Sequence, residues 1–260
     1  MPDSPDAACL RVGIDVEPAR ADQAAVHPRR DQHFAGPADS LVVGPGATGH
    51  VVFAAGAPGA YWYGADVGTQ DTLVEREQLG GAFVVDSAGA RTDDRIFVMN
   101  IWGDPIDTVL YANALAVNGR SWPYTEPITV SLGDTIRWRW VNATDRNHPM
   151  HLHGFYFRID SKGSAAADTI YAADRRRWAV TEELRPYSTM AMVWSPARPG
   201  NWLFHCHIAF HVVPGQAQLD PTVPDVHGDS HMAGLILGVN VPTPPGWRPP
   251  HRGRPRRVTL

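Results

Sequence analysis

Two short runs hold most of the residues in this 260-residue chain that could do chemistry. They are His148-Pro149-Met150-His151-Leu152-His153-Gly154 and His205-Cys206-His207-Ile208-Ala209-Phe210-His211. The second run follows Pro199-Gly200 and continues the apolar, aromatic stretch Asn201-Trp202-Leu203-Phe204, a pattern that predicts a buried strand. Side chains alternate along a strand, so Cys206 faces one way while His205 and His207 face the other. His151 and His153, also two apart, share a face in the same manner. One strand then feeds two sites, with four imidazoles converging on one side and a thiolate on the other. Thiolate plus imidazole selects copper, and two histidines, one cysteine and a weak axial group make the blue-copper arrangement. His148, Cys206 and His211 supply its three strong ligands. The axial group is open between Gln216, whose amide oxygen suits the position, and Met232. Zinc would need only four of these ligands and would leave the opposed faces of Cys206 and its neighbours without a reason.

These runs resemble the copper-binding signatures of multicopper oxidases, the laccase-like family. In that family the first histidine of HPxHLHG, together with the cysteine and last histidine of HCHxxxH, holds type 1 copper. The resemblance therefore implies His148, Cys206 and His211 as type 1 ligands. It implies His151, His153, His205 and His207 as ligands of a trinuclear cluster of type 2 and type 3 copper. The segment Met232-Ala233-Gly234-Leu235-Ile236-Leu237-Gly238-Val239 is similar to the final strand of a cupredoxin, which normally begins with the axial methionine. That favours Met232, with residues 214–231 as an inserted loop and Gln216 as the alternative.

A second stretch carries the resemblance further and also departs from it. Pro58-Gly59-Ala60-Tyr61-Trp62-Tyr63-Gly64-Ala65-Asp66, with Gln70 and Leu79 to Val85 behind it, looks like the PGTxWYHSHxxxQ…GLxGxxVV segment of an oxidase's first cupredoxin domain. Gly64-Ala65-Asp66 stands where the family has the HSH that binds the cluster. No His-x-His-Gly run precedes it, where the family has HWHG, and His50 sits alone. Half of the cluster ligands are therefore unaccounted for, and if a cluster forms they come from another chain or another domain, as a homo-oligomer that completes the cluster would allow.

The bulk properties narrow the remaining classes. A formal net charge of -4 gives no electrostatic footprint for nucleic acid. The apolar runs are far shorter than the roughly 20 residues that span a bilayer. Cys9 and Cys206 make no disulfide framework, so cysteine usage does not report a redox compartment. The first twenty residues carry Asp3, Asp6, Arg11, Asp15, Glu17 and Arg20 and lack the apolar core of a leader peptide, although the family is commonly secreted or periplasmic.

Short strands, Gly- and Pro-rich turns and the absence of a helical period predict an all-β chain of cupredoxin-like Greek-key sandwiches. Residues 1–38 are expected to be irregular or partly disordered, His27 and His33 included. Residues 39–88 read as an abbreviated cupredoxin-like segment, which must bury its open sheet against the rest of the chain or another subunit. Residues 95–241 read as the copper-binding domain. Within it Ile136, Trp138 and Trp140 alternate with Arg137 and Arg139, and Met190, Met192 and Trp194 share a core-facing side. Residues 162–177 read as loop, and the Pro- and Arg-rich residues 242–260 as a tail.

The functional expectation is one-electron oxidation of a small-molecule or metal-ion reductant at type 1 copper, coupled through Cys206 to reduction of dioxygen at the cluster. The alternative is a blue-copper electron-transfer protein in which only the type 1 site works, which Gly64-Ala65-Asp66 favours. An inactive truncated product is a third reading. A nitrite reductase fits less well, because such enzymes do not keep a histidine directly after the cysteine, as His207 stands here.

Overall fold

The computed structural model describes residues 9–15, 24–26, 41–43, 48–54, 57–66, 80–87, 90, 93–102, 114–163, 168–213 and 232–249. Eighteen strands and two 3-10 turns make up the regular structure among them. The first six strands are β1 (Cys9–Asp15), β2 (Ala24–Val26), β3 (Leu41–Val43), β4 (Thr48–Ala54), β5 (Gly59–Asp66) and β6 (Gly80–Val85). Then come β7 (Arg95–Trp102), β8 (Ala114–Val117), β9 (Ile128–Thr129), β10 (Ile136–Asn142), β11 (His148–Leu152) and β12 (Phe157–Gly163). The series closes with β13 (Asp168–Ile170), β14 (Arg177–Ala179), β15 (Thr181–Leu184), β16 (Thr189–Trp194), β17 (Gly200–Cys206) and β18 (Ile236–Val241).

Two sheets form a sandwich. A seven-stranded sheet runs β13-β12-β16-β10-β7-β8, with β14 also paired to β12, and a five-stranded sheet runs β15-β11-β17-β18-β9. The alternation in β10 puts Trp138 and Trp140 fully inside, where Met190, Met192 and Trp194 of β16 join them. Phe204 of β17 answers from the facing sheet, with ring centroids 5.3 Å from Trp138 and 4.8 Å from Trp140. Burying a side chain such as Phe204 is worth about 1.5–3 kcal/mol, and these rings fix how the two sheets stack. Among the described residues no helix is long and apolar enough to cross a membrane.

The amino-terminal part differs from the expected pattern. Residues 1–38, expected to be irregular, contribute β1, which pairs antiparallel with β4, and β2, which joins β3 and β5. The reason is local: Leu10, Val12 and Ile14 alternate with polar or small residues, a strand period inside a Pro- and Asp-rich background. Residues 162–177, expected to be loop, include the end of β12, all of β13, a 3-10 turn over Ala173–Arg175 and the first residue of β14. These pieces extend the sheet edge by pairing with β12. Beyond β18, Pro244 to Trp247 form a turn in which the Trp247 N–H donates to the Pro244 carbonyl at 3.1 Å.

Strand β5 covers the outer side of the seven-stranded sheet and lies against β10, β13 and β16. Trp62 packs with Val98 and Val141 on that side and stacks on Tyr187 at 5.4 Å. The Ala60 N–H donates to Asp168 Oδ2 at 2.8 Å. A β-carbon at Gly59 would stand 2.8 Å from that of Asp168, so the two chain segments meet this closely only because residue 59 has no side chain. Burial raises the Asp168 carboxyl above its ordinary value, and the Ala60 N–H only partly opposes this. A carboxyl whose folded value is raised gives stability that is fully present below its unfolded value, about 4, and is lost as pH rises through the folded value. Asp168→Asn should therefore gain on the parent protein in thermal melts as pH is raised from 4 to 7. A gap that stays constant, or moves the other way, contradicts this clamp.

Candidate metal centre

The register between β11 and β17 brings the two histidine runs together. Met150 lies opposite Cys206, His151 opposite His205 and Leu152 opposite Phe204. The Met150, Leu152, Phe204 and Cys206 side chains are buried in the sandwich, whereas His151, His153 and His205 are half-buried and His207 is exposed on the other face. The ladder continues at both ends, the His207 N–H donating to the Pro149 carbonyl at 2.8 Å and the His153 N–H to the Leu203 carbonyl at 2.9 Å.

The inner site consists of His148, Cys206 and His211, all buried, with their ligand atoms within 4.8 Å of one another. His148 opens β11, Cys206 closes β17, and His211 sits in the 3-10 turn Ala209–His211 that follows. The His211 carbonyl accepts the Leu235 N–H at 3.1 Å, and the Val212 carbonyl accepts the Ala233 N–H at 3.0 Å. His211 is thereby pinned to the start of the last strand. His148 Nδ1 is 3.1 Å from His211 Nδ1 and 3.9 Å from Cys206 Sγ, and His211 Nδ1 is 3.4 Å from the same sulfur. The Ile208 N–H donates to Cys206 Sγ at 3.4 Å.

Burial dominates the electrostatics of this site. It lowers His148 to about 3, with His211 and Arg146 adding to the effect. It lowers His211 to about 4, again assisted by Arg146. The Cys206 thiol is pushed up to about 11 by burial, against the Ile208 N–H. Both imidazoles are thus neutral at pH 7, the state in which a ring nitrogen can bind a metal, while the thiol needs a cation to displace its proton. One soft sulfur and two neutral nitrogens in a dry pocket fit copper by donor type and number.

The outer site is a cluster of four imidazoles. Ring centroids are 4.5 Å apart for His151 and His207, 4.9 Å for His153 and His205, and 5.1 Å for His151 and His153. His205 Nδ1 donates to the Cys206 carbonyl at 2.8 Å. A carbonyl only accepts, so the lone pair of His205 is on Nε2, which faces His153 Nε2 at 2.9 Å. His151 Nδ1 is held by Thr181 Oγ1 at 2.8 Å. Burial lowers His151, His153 and His205, with neighbouring imidazoles adding to the effect, so these three also favour the neutral form.

Gly154, which ends the first run, has φ +79, and a β-carbon there would lie 2.5 Å from the Trp202 ring. Arg198 stacks on that ring at 4.8 Å and donates to the Gly154 carbonyl at 3.0 Å, closing the end of the motif.

The structure thus brings His148, Cys206 and His211 together on one face and His151, His153, His205 and His207 on the other. Met232 is 40% exposed and lies one residue before the Ala233 N–H bond to Val212. Gln216, His227 and His231 lie outside the described residues, as do His27, His33 and Gln70. Gly64, Ala65 and Asp66 complete β5, and the described residues do not include their side chains. Sequence reasoning missed Thr144 and Thr181, whose hydroxyls lie 2.8 Å from His148 Nε2 and His151 Nδ1, and Asn142, which accepts from Thr144. The only signal for Thr144 was its position four residues before His148.

Residues 95–218 match a family model described as multicopper oxidase. The multicopper oxidase MmcO of Mycobacterium tuberculosis is 31% identical over 104 residues, covering 39% of this chain and 18% of that protein. The iron transport multicopper oxidase fetC of Epichloe festucae is 29% identical over 141 residues, covering 46% of this chain and 22% of that protein. The matched stretch thus spans only about a fifth of the length of these relatives. Among solved structures, the blue copper oxidase from Nitrosomonas europaea gives a TM-score of 0.66 at 20% identity, over 91% of this chain and 74% of that chain. The copper nitrite reductase from the same organism gives 0.64 at 13% identity, over 91% and 80%. At such identities these two likenesses speak for the fold, and the family rests on the sequence match. Residues 95–218 therefore belong to the multicopper oxidase family, folded as one of its cupredoxin domains.

Proposed function

We propose that this chain is the type 1 half of an oxidase that takes single electrons from a small-molecule or metal-ion reductant and passes them to dioxygen. The observation that carries this reading is the cluster of His151, His153, His205 and His207 directly behind the buried His148, Cys206 and His211 group. Copper, when bound, supplies the one-electron redox chemistry at both places. His148, Cys206 and His211 would hold the first ion in a dry pocket, with Met232, or Gln216 as its alternative, as a weaker fourth ligand. The peptide bonds of Cys206 to His205 and His207 give a short covalent route from one face of the strand to the other. The four outer imidazoles hold half of a trinuclear cluster of type 2 and type 3 copper, and another chain or domain supplies the other half.

One feature of the fold supports completion from outside. Strand β5, which ends in Gly64-Ala65-Asp66, lies against the seven-stranded sheet, whereas the imidazoles belong to the five-stranded sheet. The same three residues favour a second reading, an electron-transfer protein with only the type 1 site at work, because they carry no imidazole where the resemblance calls for two.

Oxygen uptake separates the two readings. Copper-loaded chain supplied with ferrous ion or a phenol should consume one dioxygen per four electrons without releasing peroxide. His205→Ala should keep the blue absorption and abolish that uptake. A parent protein that is blue and reducible yet consumes no dioxygen leaves the electron-transfer reading in its place. Met232→Leu should raise the type 1 potential without removing copper. If that variant keeps the parent potential while Gln216→Leu changes it, the axial group is Gln216.

A further inference from the structure

We infer that Thr144 is a positioning residue that keeps the His148 proton on Nε2 and so aims an unprotonated Nδ1 at Cys206 and His211. The inference follows from the direction of a buried hydrogen-bond relay. Asn142, at the end of β10, places its Nδ2 at 2.7 Å from the Arg146 carbonyl, 2.8 Å from the Arg185 carbonyl and 3.3 Å from the Leu184 carbonyl. Carbonyls only accept, so this atom is the amide nitrogen and the other is the oxygen. Asn142 Oδ1 accepts the Thr144 N–H at 3.0 Å and lies 2.8 Å from Thr144 Oγ1.

An amide oxygen has no proton to give, so the threonine hydroxyl donates to it. The same hydroxyl has a second neighbour that can only accept, the Arg146 carbonyl at 3.5 Å, which reinforces that direction. Its lone pairs remain for the Arg146 N–H at 3.2 Å and for His148 Nε2 at 2.8 Å. Nε2 must then carry the proton. If the proton sat on Nδ1, the hydroxyl would have to turn toward Nε2 and present a bare oxygen to Asn142 Oδ1, two acceptors facing each other in a buried site.

His148 Nδ1 is left with its lone pair toward His211 Nδ1 and Cys206 Sγ. Orienting hydrogen bonds of this kind fix the tautomer and angle of metal-binding imidazoles and are worth about 10–100-fold in metal affinity. The relay is anchored on β15 and the turn after it, through the Leu184 and Arg185 carbonyls. The tautomer stands on the hydrogen bonds alone, whereas its consequence for copper rests on the type 1 reading given above.

The test is nitrogen NMR on the 15N-labelled, metal-free 260-residue chain, with His148 assigned from the signals missing in His148→Gln. The expected result is a protonated Nε2 and a lone-pair Nδ1 in the parent, the same pattern in Thr144→Ser, and a shift toward the Nδ1-protonated form in Thr144→Val. A parent protein with its proton on Nδ1 overturns the inference, even if the valine variant does not fold. So does a valine variant with an unchanged tautomer. Copper titration is the second readout: Thr144→Val should bind about 10–100-fold more weakly, with affinity restored in Thr144→Ser. If the tautomers behave as expected but the parent chain binds no copper, the type 1 reading fails and the positioning role of Thr144 stands.

Discussion

The alternation of side chains along β17 is the constraint on which the rest of the molecule depends. Three consecutive residues, His205, Cys206 and His207, serve two sites only because neighbours in a strand point to opposite faces. The pairing with β11 must therefore be correct to the residue. A slip of one position would turn His151 and His153 into the core and push Met150 and Leu152 out into solvent. Burial of Phe204 against Trp138 and Trp140 opposes that slip, so the aromatic core acts as the register lock for the metal ligands.

The two faces differ in environment, and this decides what each can do. Inside, burial makes His148 and His211 neutral and the thiol reluctant to ionise, so the pocket is selective for a soft cation that can take the proton's place. Outside, four imidazoles, of which His151, His153 and His205 favour the neutral form, stand partly open on the five-stranded sheet, whereas the amino-terminal β5 lies against the seven-stranded one. That strand spends its apolar surface on the opposite sheet, through Trp62 against Val98, Val141 and Tyr187. A half-open imidazole face beside a closed thiol pocket is the observation behind the proposal that another chain or domain completes the outer site.

The copper-bearing part was legible in sequence because its signals are local. Period-two alternation marks β10, β16 and β17, and the histidine spacing carries the ligands with it. Asn118 and Gly119 announce the tight turn between Val117 and Arg120, where both take positive φ. What stayed hidden depends on partners distant in the chain. The strand at Cys9–Asp15 is a weak pattern until β4 pairs with it across some forty residues. The relay behind His148 needs Asn142 to reach the Leu184 and Arg185 carbonyls, and no spacing rule announces that contact. The choice between Met232 and Gln216 stays open, because Gln216 and the rest of residues 214–231 lie outside the described residues.

Whether one strand carries electrons between two copper sites is decided by counting copper by kind. Electron paramagnetic resonance of the copper-loaded chain would be integrated and compared with total copper from elemental analysis. The account predicts a type 1 signal, a type 2 signal and further copper that gives no signal because it is coupled in pairs. A single type 1 signal that accounts for all the copper present would contradict it and leave the outer imidazoles without a metal to hold.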